Sequence, residues 1–313
     1  MLGAAWSVQT NNAHWILDDK ELQDATQGFQ SQKSFRKDFF AYCKLLNVTP
    51  HPKLCPKLDE EDKDLLGYDE SDTDTVNVRN WMLDGASLKV MSLALHNCPA
   101  IHTVTILSTR PHARVRNNVT WYVVGAAAIA DMMKANTKLA VLNLFRNDLH
   151  DDGAAALAYA LTENKTLLHL SVANNHITSQ GATAMIRGLT RYILRDDQLQ
   201  HAAEVEVQIQ AALEAAKKQK KKLERADVIK ELNVPDMETV DGVVYGVGNA
   251  TLQSLTLSGN AMTTVDELMP LNKLLEDHHV KLKTHLHVIK VQRMFPATAT
   301  SNAKPLLSEL LAL

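Results

Sequence analysis

Leu139, Leu142, Leu144, Asn147, Leu149 and Gly153 are followed 28 positions later by Leu167, Leu170, Val172, Asn175, Ile177 and Gly181. All six residue classes match. The lead-in triplet recurs as well: Asn136-Thr137-Lys138 before the first copy and Asn164-Lys165-Thr166 before the second. A third triplet, Asn249-Ala250-Thr251, precedes Leu252, Leu255, Leu257, Asn260 and Met262. Working backwards, Gly125 and Ile129 lie 28 residues before Gly153 and Leu157, and Ile101, Val104 and Ile106 supply the strand of that unit. A ten-residue insertion, Arg110–Val119, separates that strand from its helix. Val76 and Val78 lie another 28 residues back, with Met91 and Leu95 on the helix that follows. Five units result, near 73–100, 101–138, 139–166, 167–190 and 252–279. A fixed period constrains a fold more than any composition does. Each unit leaves an apolar face that only the next unit can cover, so the chain must stack into a solenoid.

Within a unit the pattern is L-x-x-L-x-L-x-x-N, then G-A-x-x-L-A-x-x-L. Leu142 and Leu144 flank Asn143, the alternation of a strand with one buried face. Leu157 and Leu161, four apart, form one helical stripe after Gly153. These motifs resemble the leucine-rich repeat family, and the long unit resembles its ribonuclease-inhibitor-like subclass. The resemblance implies an α/β solenoid of about five repeats, with strands on a concave side and helices on a convex side. Asn147 fits a structural role. Where the strand bends away from its ladder, an amide side chain offers both a donor and an acceptor to the orphaned backbone. Stacking then places Asn147 beside Asn175. The pattern weakens at the ends, with Trp81 and Thr109 at asparagine slots and Ser87 and Asp266 at glycine slots, as terminal coils of a solenoid should.

Residues 1–72 fit no repeat and read as an N-terminal helical cap and linker. Ser34 is placed to start a helix with Phe35, Phe39, Tyr42, Cys43 and Leu46 on one face, ending before Thr49-Pro50. Residues 73–190 hold four repeats, 191–248 a long helical insertion, 249–292 the last repeat and a cap strand within Thr284–Val291, and 293–313 a tail with a short helix from Lys304. In the insertion, Asp196–Leu232 is rich in strong helix formers. Leu199, Ala202, Val205, Ile209, Ala212, Ala216 and Leu223 give it a ragged apolar stripe.

The balance of 33 basic and 36 acidic residues implies no general attraction to nucleic acid or membrane. Aromatics at 5% argue against a base-stacking platform. No apolar run is long enough to span a bilayer, and the first residues lack the basic and apolar parts of a secretory signal. Cys43, Cys55 and Cys98, widely spaced and odd in number, suggest free thiols. The sequons at Asn47, Asn118, Asn164 and Asn249 then read as chance matches. No phosphate-binding glycine motif occurs. His278–His279 and His285–His287 lack companions at metal spacing. Asp148, Asp151 and Asp152 fall at a strand-to-helix turn, where acids favour a helix N-terminus. We therefore expect no catalytic, cofactor or metal site and no small-molecule substrate.

The expected binding surface is the outward side of the strands: Thr75, Asn77 and Arg79; Thr103, Thr105 and Leu107; Val141, Asn143 and Phe145; His169, Ser171 and Ala173; Ser254, Thr256 and Ser258. Leu107, Val141 and Phe145 are taken as an adjacent apolar centre, with Arg79, Arg146 and His169 around it, a composition suited to a protein interface. Lys217, Lys218, Lys220, Lys221 and Lys222 are a second candidate, directed at an acidic partner. The Tyr42-Cys43…Leu46…Pro50 block, the few repeats and the lysine-rich insertion before the last repeat together resemble leucine-rich repeat proteins of the ciliary and flagellar axoneme. That resemblance implies a structural scaffold of the cytoskeleton, beside tubulin or axonemal complexes. The alternative is a GTPase regulator, because the Ran GTPase-activating proteins share the repeat subclass. Their acidic C-terminal tail has no counterpart in KPLLSELLAL.

Overall fold

The structure, a computed structural model, describes residues 22, 25–51, 54–55, 75–79, 83, 85–107, 119–194, 196–218, 237–241, 243–261 and 288–290. Six strands form one parallel sheet in the spatial order β1 (Thr75–Arg79), β2 (Thr103–Leu107), β3 (Val141–Asn143), β4 (His169–Ser171), β8 (Ser254–Thr256) and β9 (Val288–Lys290). The pairing aligns Val76, Val104, Leu142, Leu170, Leu255 and Ile289 in a single row. Every member of that row is buried. The parallel strands fall within the expected strand segments of the repeat pattern, and β9 lies within Thr284–Val291.

Helices α2 (Gly85–His96), α3 (Val119–Ala135), α4 (His150–Glu163) and α5 (Ser179–Leu189) follow β1 to β4 and pack each on the next. Leu157 and Leu161 of α4 are fully buried, as the stripe requires. The glycine slot has a steric reason: a Cβ at Gly181 would overlap Asp151, Ile177 and Ala154 of its own and the preceding coil. Helix α1 (Phe35–Leu45) packs on α2 and buries Phe35, Phe39, Tyr42 and Cys43, with Leu46 buried just beyond it. Ser34 takes an extended N-cap conformation but makes no side-chain capping bond. The Tyr42 hydroxyl accepts from Asn97 Nδ2 at 2.9 Å, which ties α1 to the end of α2. Fully buried Asp38, not singled out in the sequence, accepts from the Ser31 hydroxyl and from Gln32 N–H. It thereby anchors the segment leading into α1.

The sequence predicts helix alone for residues 191–248, and here the structure differs. Helix α6 (Asp196–Lys218) is present, but a three-stranded antiparallel sheet accompanies it, formed by β5 (Arg191–Ile193), β7 (Val243–Val247) and β6 (Met237–Val240) in that order. Val243, Val244 and Val247 are β-branched, and the hairpin lies next to the returning solenoid chain. Pairing with β5 supplies the tertiary context that local propensity omits. On α6, Val205 and Ile209 are buried and Ala212 half-buried, whereas Leu199 is exposed, contrary to the expected stripe. Ala216 side-chain placement, Leu223, the helix of the last repeat, the histidine pairs and the C-terminal helix lie outside the described residues. Among the described residues no helix is long and apolar enough to cross a membrane.

Candidate functional site

Two buried amide ladders shape the solenoid and set the position of its surface. In the first, Asn147 Nδ2 donates to Ile106 O at 2.7 Å, Asn175 Nδ2 to Leu144 O at 2.8 Å, and Asn260 Nδ2 to Val172 O at 3.0 Å. The oxygens of Asn175 and Asn260 work in the opposite direction. Asn175 Oδ1 accepts from Asn147 N–H at 2.8 Å, and Asn260 Oδ1 accepts from Asn175 N–H at 2.7 Å. The expected neighbourhood of Asn147 and Asn175 is therefore a direct bond. The lead-in asparagines make the second ladder. Asn136 Nδ2 reaches Leu95 O, Asn164 Nδ2 reaches Met133 O, and Asn249 Nδ2 reaches Leu161 O, at 3.0, 2.6 and 2.8 Å. Sequence reasoning misses its role, although the 28-residue recurrence is the signal for it. Asn164 and Asn249 also occupy two of the sequons. Their buried, bonded amides are closed to glycosylation in the fold.

Beyond each strand the chain turns through left-handed backbone at equivalent positions: Arg146 (φ 62°), Asn174 (φ 55°) and Gly259 (φ 72°). Asparagine and glycine tolerate this region and arginine seldom does. Arg146 N–H donates to Ala173 O at 3.0 Å, which holds the turn against the next coil. The Arg146 side chain is thus exposed at the rim, off the strand rows. Asp151 has a more specific role than stabilising its own helix. Its carboxylate accepts from Thr178 N–H (2.8 Å), the Thr178 hydroxyl (2.6 Å) and Gly181 N–H (3.0 Å), capping the helix of the following coil. Asp148 Oδ1 lies 3.1 Å from His176 Nε2, and the His176 ring stacks on His150 at 5.5 Å.

The outward rows of the sheet are set by the pairing. Thr75, Thr103, Val141, His169, Ser254 and Val288 form one row; Asn77, Thr105, Asn143, Ser171, Thr256 and Lys290 form the next. Arg79 pairs with Leu107 in a third row. Phe145 continues this third row beyond the end of β3 and is 36% exposed. Arg79 and His169 are exposed; Leu107 and Val141 are half-buried. The expected apolar centre does not hold as one patch. Val141 sits between Thr103 and His169, four residues along the strand from the Leu107–Phe145 level, or about 13 Å. Thr105 and Ala173, expected to be presented, are buried. Strand alternation gives direction but not depth, because neighbouring coils decide how much of each side chain is covered. Lys217 and Lys218 are the last two residues of α6. Lys220, Lys221 and Lys222 lie outside the described residues.

The cysteines are all reduced and buried. Burial pushes the Cys98 thiol up to about 12, helped by the negative charge of Asp38, and burial pushes Cys55 up to about 11. Such thiols are poor nucleophiles. Among the described residues, no three His, Cys, Asp or Glu side chains gather as a metal ion would require.

Residues 135–158 and 163–185 match the family model described as Leucine Rich repeat. No curated protein matches the sequence. Among solved structures, the chain is similar to "Leiomodin-1 Actin-Binding Site 2 (ABS2)", with 20% identity over 72% of this chain and 92% of that one and a TM-score of 0.35. The two matched segments carry β3 with α4 and β4 with α5, the centre of the parallel sheet and of both asparagine ladders. There the matched repeat model and the geometry agree: a parallel sheet with a helix after each strand, consistent with a leucine-rich repeat solenoid.

Proposed function

We propose that this chain is a non-enzymatic protein–protein interaction scaffold, and that it binds through the outward face of its parallel sheet. The level formed by Arg79, Leu107 and Phe145 carries the reading: a cation, a half-buried leucine and an exposed aromatic in one row. Aromatic and arginine side chains are the residues most often found at the energetic centre of protein interfaces. In this reading His169, Val141 and Arg146 are peripheral contacts. The insertion is a second contact, with the run Lys217, Lys218, Lys220, Lys221 and Lys222 directed at an acidic partner. Ile193 and Val207, 68% and 69% exposed, support contact on this part of the chain.

The repeat type of this scaffold is ribonuclease-inhibitor-like, supported by the long outer helices and the glycine slot at Gly153 and Gly181. The chain is a structural component of a larger assembly in the ciliary or flagellar axoneme, beside tubulin or axonemal complexes. That part rests on the order of its sequence blocks. The test combines Phe145→Asp with Leu107→Ser, followed by a pull-down and a melting curve. Lost capture of a partner with an unchanged melt is the expected result. Unchanged capture moves the contact away from the sheet, and a collapsed melt makes both residues core.

A further inference from the structure

We infer that the chain holds together as two energetically separate units: a solenoid that is continuous across residue 190, and an insertion module fastened to it, among the described residues, at the joint between Thr190 and Gly248 and by Tyr192, which lies beside Thr162 and Glu163 of α4. The spacing of the ladders is the first reason. Asn136 and Asn164 lie 28 residues apart, as do Asn147 and Asn175. Asn164 and Asn249 lie 85 apart, as do Asn175 and Asn260. Both ladders lengthen by the same 57 residues, from 28 to 85, so the insertion adds chain without shifting the phase of the repeat.

The bonds repeat what the spacing says. Asn249 Nδ2 donates to Asn164 O and Leu161 O, just as Asn164 Nδ2 donates to Asn136 O and Met133 O. Asn249 Oδ1 accepts from Thr251 and Leu252 N–H, the counterparts of Thr166 and Leu167 for Asn164. Leu170 pairs with Leu255 as Leu142 pairs with Leu170. No solenoid bond in this set is supplied by the insertion.

The joint itself is tight. Gly248 N–H donates to Thr190 O and Asn249 N–H donates to Gly188 O at 2.9 Å. A Cβ on Gly248 would fall on the Thr190 carbonyl oxygen and the Leu189 carbonyl carbon, so the close passage of the two chain ends needs glycine here. Arg191 then pairs with Val247, and the excursion closes on itself. Its buried Val205 and Ile209, with Ala212 and Leu213, form an apolar cluster distinct from the solenoid core among the described residues. Cooperative units of this kind open independently when few apolar contacts join them. A partner that orders or displaces the module would therefore leave the sheet and its ladders intact.

Two measurements test this. In the first, residues 191–247 are removed and Thr190 is joined to Gly248, which restores the 28-residue spacing between Asn164 and Asn249. The shortened chain is expected to melt cooperatively and to keep slow hydrogen exchange in 141–143, 169–171 and 254–256. Loss of both properties overturns a continuous solenoid. In the second, the full-length chain carries Leu170→Ala. Hydrogen exchange should accelerate by about tenfold or more in those three strands, as a core truncation requires, while segment 205–213 keeps its rate. Equal acceleration in both regions overturns the separation, whether or not the shortened chain folds.

Discussion

Asn175→Ala is the sharpest test of how the coils are joined. Asn175 is fully buried, and its side chain serves four backbone groups. The oxygen accepts from Asn147 N–H at 2.8 Å and from Leu149 N–H at 3.3 Å. The nitrogen donates to Leu144 O at 2.8 Å and Ala173 O at 3.1 Å. Ala173 O keeps a second donor, Arg146 N–H, so it is not stranded by the change. Asn147 N–H loses a short bond, Leu149 N–H a long one, and Leu144 O its amide donor. At about 1–3 kcal/mol for each of the two stranded buried groups, with the long bond discounted, the loss is about 2–6 kcal/mol. Against a typical total of about 5–15 kcal/mol, that is a large fraction of the stability. At about 2–4 °C per kcal/mol for a chain of this size, the melting temperature should fall by roughly 10 °C. Asn143→Ala is the control. It sits on the preceding repeat, accepts from Phe145 N–H at 3.1 Å, and lies at the sheet surface. Its loss should be below about 1 kcal/mol, since water can replace an exposed partner. Denaturant unfolding of both variants decides the matter. If Asn175→Ala costs no more than Asn143→Ala, the ladder does not join the coils and the reasoning fails.

Leu144→Arg buries an unpaired charge at a fully enclosed site and should abolish cooperative folding, with a normal thermal melt as the contrary result. Replacing Lys217, Lys218, Lys220, Lys221 and Lys222 by glutamine should leave the circular dichroism melt in place and weaken capture by an acidic partner. Capture that stays equally strong and equally salt-sensitive would reduce the run to a solvated face. Cys98 and Cys55 should resist alkylation in the native chain at neutral pH and react on unfolding, as quantified by mass spectrometry. Because both thiols titrate higher folded than unfolded, the folded chain holds more protons above the unfolded thiol value of about 8.5–9. Stability present below that pH should therefore drain away as pH rises toward about 11–12. Cys98→Ala should flatten part of that slope in denaturant titrations at rising pH.

The period of 28 determined the most. Once Leu142, Leu170 and Leu255 occupied equivalent slots, stacking them in one row was the only way to cover each apolar face, and the parallel sheet followed. The face of α1 was equally legible, because Phe35, Phe39, Tyr42, Cys43 and Leu46 fall on one side of a helix of about 3.6 residues per turn. Asn147 declared itself by being polar inside an apolar run. What the sequence left open was decided by contacts between residues far apart in the chain. Strand β5 acquires its state from Val243–Val247, and no window around Arg191–Ile193 contains that partner. Asp151 caps a helix one coil away, while its local context points equally well to its own helix. Val141 and Phe145 share a strand direction, yet the pairing separates Val141 from Leu107, and neighbouring coils bury Ala173 beside an exposed Phe145. Local pattern sets which way a side chain points, because backbone geometry has short periods. How deeply it is covered, and which distant group it meets, depends on packing, which only the assembled tertiary structure defines.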